Sequence, residues 1–409
     1  MNAVLLLMGL LVLSYLGSFL VGGRTVRGAG LPSGVEYVAL GFVLGPSALD
    51  LVGGDMLASF EPVVQVALGW LAFAVGLDFG YAGERRARAG NVALATLGAL
   101  VTGGAVAGAT WMVVRRLHVG ATMTEQLLLA GGVGVACSET TRQAVRWVVD
   151  RHGAKGPLAE QLNEIAHTDD LLPLLAIAVL FALSPATHIP MRFPLLEWPA
   201  ITVGLGLLLG AGAALLVRSE LKLDETWAIL FGVSLIAIGT TARLGLSTLT
   251  ASFFAGIAVS MLSKHGKELR AMVAPTERPV LLPALLLAGA HLSFHDNPRL
   301  PWIAVTAITV RFATKIVIGW ILAAASPAAR KAGAFVGLSM MSSGALAMSI
   351  GLAFALRFPG MLGDTVLVVA ALSATVGEFV GPARLRVALR RAGEMKESTS
   401  APTPQRAPA

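Results

Sequence analysis

His167-Thr168-Asp169-Asp170 stands directly ahead of the apolar run Leu171 to Leu183, in a chain of 409 residues that is 55% hydrophobic and 13% charged. An ionised aspartate at bilayer depth costs at least about 2.5 to 3.5 kcal/mol on insertion scales, so two in succession require a function or a partner. The pair reads as an ion or proton site, and the run beside it as part of a membrane helix.

The same apolar character recurs outward from this point. A mean hydropathy of +0.74, with 46 Gly and 20 Pro, fits no soluble globular class, whose water-facing surface would need roughly twice this charge. Crossing roughly 30 Å of hydrocarbon takes a helix of about 17 to 25 apolar residues. Such segments fall at 3–22, 34–52, 61–80, 92–114, 124–148, 157–184, 196–217, 225–242, 246–263, 273–292, 301–325, 331–356 and 361–385. The expectation is an all-α polytopic membrane protein with about 13 transmembrane helices.

Lys and Arg in short connections stay on the cytoplasmic side. With thirteen spans, 20 of the 31 Lys and Arg fall on one side and 6 on the other, and Arg142, Arg146, Arg278, Arg311 and Lys315 lie within spans. The asymmetry puts the N-terminus outside and the C-terminus in the cytoplasm. The first apolar stretch lacks a basic n-region and a small-residue cleavage site, so it reads as a retained span. The tail from about Glu394 reads as short and disordered.

The net charge of +7 and a pI near 10.0 do not mark a nucleic-acid partner, because the basic residues are spread over loops and form no single stripe. They read as topology signals and contacts to anionic membrane lipid. A single cysteine, Cys137, excludes an internal disulfide and a multi-cysteine metal site. No soluble nucleotide-binding domain follows the membrane part, and neither an enzyme activity nor a cofactor is expected.

Charge within the spans is concentrated in three places. The fifth span carries Cys137-Ser138-Glu139-Thr140-Thr141-Arg142 after a glycine-rich stretch. The sixth carries His167-Thr168-Asp169-Asp170. The eleventh carries Arg311 and Lys315, four residues apart and on one helix face. The twelfth span adds a small, polar patch around Ser342-Ser343-Gly344. Such patches in corresponding elements of two halves point to the broken helices of a secondary transporter. Unwound backbone is tolerated at membrane depth only where protein or water surrounds it. Spans four to six and eleven to thirteen would then form inverted repeats, since an odd number of spans separates their starts.

A carboxylate holds either a proton or a monovalent cation, so one site can carry the two alternately. Asp169 and Asp170 are candidate ligands for both, and their titrations are coupled. Hydroxyls of Ser138, Thr140 and Thr168, with freed carbonyls, suit a hard alkali cation. Glu139 is a further candidate, unless Arg142 three residues on neutralises it within a continuous helix. His167 is either a polar wall residue or a pH-tuning group. Glu160 and Glu164 read as a solvated helix N-terminus. The blander reading of the aspartates is a structural ion pair, and that of Lys315 a structural lock or a side chain reaching for the interface.

Four short motifs carry a resemblance: Gly41-Phe42-Val43-Leu44-Gly45-Pro46-Ser47, Leu71-Ala72-Phe73-Ala74-Val75-Gly76-Leu77-Asp78, Ala251-Ser252-Phe253-Phe254-Ala255-Gly256 and Val376-Gly377-Glu378-Phe379-Val380-Gly381-Pro382. In this order they resemble the bacterial Na+/H+ exchangers of the monovalent cation:proton antiporter-2 family, over nearly the whole membrane part. The resemblance implies a homodimer in a bacterial inner membrane, in which a core with two crossing broken helices moves against a dimerisation domain in an elevator-like alternation. It divides the chain into largely dimerising N-terminal helices (1–91), a first core repeat (92–185), a linker with dimerising helices (186–300), a second core repeat (301–386) and a cytoplasmic tail (387–409).

Asp169 and Asp170 match the paired aspartates of electrogenic members, which implies Asp170 as the main cation and proton carboxylate and Asp169 as its partner, alternately paired with Lys315, with Arg311 as rival. A lysine freed in a low-dielectric site can lose its proton, which an arginine cannot readily do. Arg142 departs from the family's small or apolar residue, and reads as locked to Glu139, as a gate, or as the mark of another substrate. The expected function is therefore exchange of Na+, or of Li+ or K+, for protons. The alternatives are cation-coupled symport of an organic anion, and a non-transporting membrane sensor or scaffold.

Overall fold

The computed structural model describes residues 35–82, 88–120, 122–184, 194–217, 223–263, 265–292 and 298–395. The expected span 3–22 and the tail from 396 lie outside the described residues. Within them the order is α1 (Val35–Leu44), α2 (Gly54–Ala82), α3 (Ala89–Arg116), α4 (Met123–Ser138), α5 (Arg142–His152), α6 (Pro157–Thr168), α7 (Leu171–Ala182) and α8 (Glu197–Val217). There follow α9 (Leu223–Leu244), α10 (Thr248–Leu262), α11 (Gly266–Ala290), α12 (Leu300–Ala325), α13 (Pro327–Ala332), a 3₁₀ segment (Ala334–Met340), α14 (Ala345–Arg357) and α15 (Met361–Ala392). No strand occurs among the described residues.

Eight helical stretches among the described residues are long and apolar enough to cross a membrane, with α6 and α7 counted as one. The 3₁₀ segment and α14, bent by 58° at their break, make a ninth. Three other expected spans fall on shorter pieces. The 34–52 segment becomes α1, which stops ahead of Pro46 because proline disfavours helical backbone at the residue before it. The 246–263 segment is α10, of 15 residues. The 124–148 segment is divided between α4 and α5.

Local signals set these boundaries. The Thr122 hydroxyl accepts from the Glu125 amide at 3.2 Å while the Glu125 carboxylate accepts from the Thr122 amide at 3.2 Å, a capping box that starts α4. Gly153, left-handed at φ 57°, ends α5. Pro157 opens α6, whose free amides at Leu158 and Ala159 donate to the Glu394 carboxylate at 2.7 and 2.8 Å. Glu394, expected to begin the disordered tail, thus caps the helix that leads to the two aspartates. Glu164 is no solvated group either: its carboxylate accepts from Asn91 of α3 at 2.6 Å, and Asn91 in turn accepts from Gln161 at 3.0 Å.

The densest crossing joins α2 to α10. A Cβ at Gly76 would collide with the Phe253 carbonyl oxygen, and one at Gly256 with that of Phe73. The two glycines face each other's helix and let the backbones touch. Overpacking of this kind costs about 1 to 3 kcal/mol. Gly256→Val is therefore expected to lower the thermal unfolding midpoint in detergent, and Gly256→Ala to lower it less. Equal midpoints for all three proteins would show that this crossing adjusts freely.

Candidate functional site

Two broken elements cross in the interior. Between α4 and α5 the chain is extended at Glu139 (φ −65°, ψ 148°) and Thr141 (φ −71°, ψ 123°), and between the 3₁₀ segment and α14 it is extended at Gly344. The breaks meet directly: the Thr141 amide donates to the Ser342 carbonyl at 2.9 Å, and the Thr140 hydroxyl to the Met340 carbonyl at 3.2 Å. Glycine permits the approach of α15 to the second break, since a Cβ at Gly377 or Gly381 would strike Met341 or Ser342.

Breaking a helix inside a membrane leaves dipole ends that need charge. The buried Glu139 carboxylate accepts from the Gly344 amide at 3.1 Å and the Ala347 amide at 3.1 Å, and so caps the positive end of α14. At the negative end of α4, the fully buried Arg311 donates to the Glu139 carbonyl at 2.9 Å and to the Ser373 hydroxyl at 2.6 Å. Lys315, one turn further along α12 and also buried, donates to the Thr140 hydroxyl at 2.7 Å. One carboxylate and two cations thus complete the crossing.

The aspartates sit beside it, where regular helix hydrogen bonding lapses between α6 and α7. Pro173 supplies a reason: it has no N–H to offer the carbonyl of Asp169 four residues earlier, and its ring crowds that carbonyl. Asp169 is buried, with Lys315, Arg311 and Thr140 around its carboxylate, and its Oδ1 has no hydrogen-bond partner among the described residues. No ion pair joins it to either cation: Lys315 is held by Thr140, and Arg311 by Glu139 and Ser373.

Asp170 faces the other way and lines a cavity of about 110 Å³ with Asp78, Glu139, Arg142, His167 and Arg270. Arg142 is not locked to Glu139. Its guanidinium donates to Asp78 at 2.5 Å and to the Asn163 side chain at 3.2 Å, and lies 3.0 Å from His167 Nδ1. Arg270 of α11 closes on the other oxygen of Asp78. His167 also packs on Phe79, ring centroids 5.1 Å apart, as a wall residue of this cavity.

Away from this cavity, Leu68, Leu71, Leu285, Met348 and Leu352 close the seam between α2, α11 and α14 around a void of about 10 Å³. Beyond the seal lies a second cavity, of about 230 Å³, with Glu61, Gln65, Thr241 and Arg357 in its wall. Asp170 therefore opens to one side of an apolar barrier.

The remaining candidates are spread around the crossing. The Ser138 hydroxyl donates to the Val135 carbonyl at 2.8 Å and that of Thr168 to the Glu164 carbonyl at 3.0 Å, each within its own helix turn. Ser342 donates to the Gly377 carbonyl at 3.4 Å, and Ser343 is buried with no hydrogen-bond partner among the described residues. Among the described residues no three metal-ligating side chains cluster. A cation at Asp170 would therefore draw on hydroxyl and carbonyl oxygens as well. Asp78, Arg270 and Ser373 were not among the candidates from sequence; of these Asp78, a charge at the end of an apolar helix, carried a signal that could have found it.

The family model "Sodium/hydrogen exchanger, transmembrane" matches residues 13–383. No curated protein matches the chain. Among solved structures, the sodium proton antiporter MjNhaP1 from Methanocaldococcus jannaschii at pH 8 is similar with a TM-score of 0.69 at 13% identity, over 96% of this chain and 99% of that one. A structure of the same antiporter determined by electron microscopy gives 0.68 at 15% identity, over 97% and 100%. At such identities the likeness is one of fold.

Proposed function

The chain belongs to the sodium/hydrogen exchanger family, and on that basis we propose that it exchanges Na+, with Li+ and K+ as the other candidate cations, for protons across a bacterial inner membrane. The observation that carries the reading is Asp170, a carboxylate lining a cavity beside the crossing of two broken elements, next to Asp169 with its unpartnered Oδ1. A buried acceptor without a partner is costly. A proton, a cation or the Lys315 ammonium relieves that cost, and only one of them at a time.

The cycle runs as an elevator in a homodimer, with the N-terminus outside and the C-terminus cytoplasmic. The core that holds both breaks moves past α2 and α11, and the apolar seal re-forms on the opposite side of Asp170. Arg142 gives the organic-anion alternative no support, since its guanidinium is already occupied by Asp78 and Asn163.

Purified protein in liposomes with a preset pH gradient tests this directly: Na+, Li+ or K+ is expected to dissipate the gradient. Indifference to all three would end the antiporter reading. We expect the exchange to be electrogenic, with Lys315 carrying the additional charge. Lys315→Ala should then retain exchange and lose its response to an imposed voltage. Loss of folded protein instead would make Lys315 a structural lock.

A further inference from the structure

Asp78 lies at the end of α2, outside the crossing, yet it is held by two arginines from different elements. Arg142 of α5 takes one carboxylate oxygen and Arg270 of α11 the other. Both α2 and α11 lie on the side of the seam that faces α14. One helical turn beyond Arg142, on the same face of α5, is Arg146. Arg146 lines the same cavity, and among the described residues its guanidinium makes no hydrogen bond or ion pair. The charges around it are Asp78, Arg270, Asp150 and Glu277. A half-buried guanidinium without a partner, one turn from an arginine that shares its partner, invites a second position of the same carboxylate.

We infer that Asp78 is a positioning residue that changes partner from Arg142 to Arg146 as α5 slides along α2 during the transport cycle. Four residues of helix advance about 6 Å at about 1.5 Å per residue, so one turn of sliding brings Arg146 to the level now held by Arg142. α5 packs on α6 and α15, and packed side chains interlock in discrete registers, so such an assembly moves in steps and not by continuous displacement. At each register Asp78 neutralises the arginine beside it, and Arg270 remains its fixed partner on the static side. The arrangement keeps the arginine that stands level with Asp78 neutralised in each register. The inference rests on the elevator reading above.

Two independent measurements test it on the full-length protein in liposomes. The first is cross-linking with a short bifunctional thiol reagent. Asp78→Cys paired with Arg142→Cys, and Asp78→Cys paired with Arg146→Cys, should both react. A 142 pair that reacts while the 146 pair stays free overturns the handover.

The second is flux. Arg146→Gln and Asp78→Asn should each slow exchange at least tenfold with unchanged thermal midpoints, and the double variant should be no slower than Asp78→Asn alone. Wild-type speed in Arg146→Gln, or multiplied losses in the double variant, would contradict a shared step. Failure of the wild type to exchange any cation would sink the proposed function, while the cross-linking would still report whether the register shifts.

Discussion

Asp170→Asn is expected to lower cation-driven proton flux in liposomes by at least about a hundredfold, the scale on which losing a proton-transferring group acts. The argument is one of inventory. Asp170 is the aspartate of the pair that lines the open cavity, whereas Asp169 is buried among Lys315, Arg311 and Thr140. An asparagine keeps the shape and one acceptor oxygen, but it can neither take up a proton nor balance a cation. Folding should not suffer, because the neutral amide would replace a carboxylate that has Glu139, Asp169 and Asp78 as like-charged neighbours, against Arg142. The thermal midpoint should hold or rise. Flux at the wild-type rate in Asp170→Asn would move the carrier elsewhere, and Asp169→Asn would be the next variant to measure.

The architecture was legible where physical necessity leaves a mark in the sequence. Long apolar runs, a charge pair at membrane depth and small polar residues in mid-span located the helices and both breaks. Gly76 and Gly256, read as parts of motifs, turn out to be contacts at one helix crossing. What stayed hidden was partner choice. Arg142 could be matched with Glu139 by spacing alone, yet the backbone is extended from Glu139 to Thr141, so the two side chains diverge. Each found a partner remote in sequence: Asp78 for Arg142, and the amides of Gly344 and Ala347 for Glu139. Lys315, expected to pair alternately with Asp169, donates here to Thr140. A charge pattern shows that a buried group needs a partner, and the fold decides which.

Glu139 provides the sharpest separation of structure from transport. Its carboxylate satisfies amides at the start of α14, while its own carbonyl accepts from Arg311. Glu139→Ala would leave the amides of the buried Gly344 and Ala347 without that acceptor. Hydrogen bonds to charged groups are worth about 1.5 to 3 kcal/mol each, so removal of the pair should cost about 3 kcal/mol or more. The expected result is a lower yield of folded protein and a thermal midpoint several degrees down. Glu139→Gln, whose amide oxygen can still accept one of these bonds, should recover part of the loss and retain measurable exchange. A different role predicts the reverse pattern. If Glu139 carried the proton or the cation, Glu139→Gln would abolish exchange at an unchanged midpoint. The site then needs two carboxylate carriers, and the end of α14 must find its counter-charge elsewhere. Glu139 is the carboxylate on which the Gly344 and Ala347 amides are placed, which is why the loss is expected in stability first.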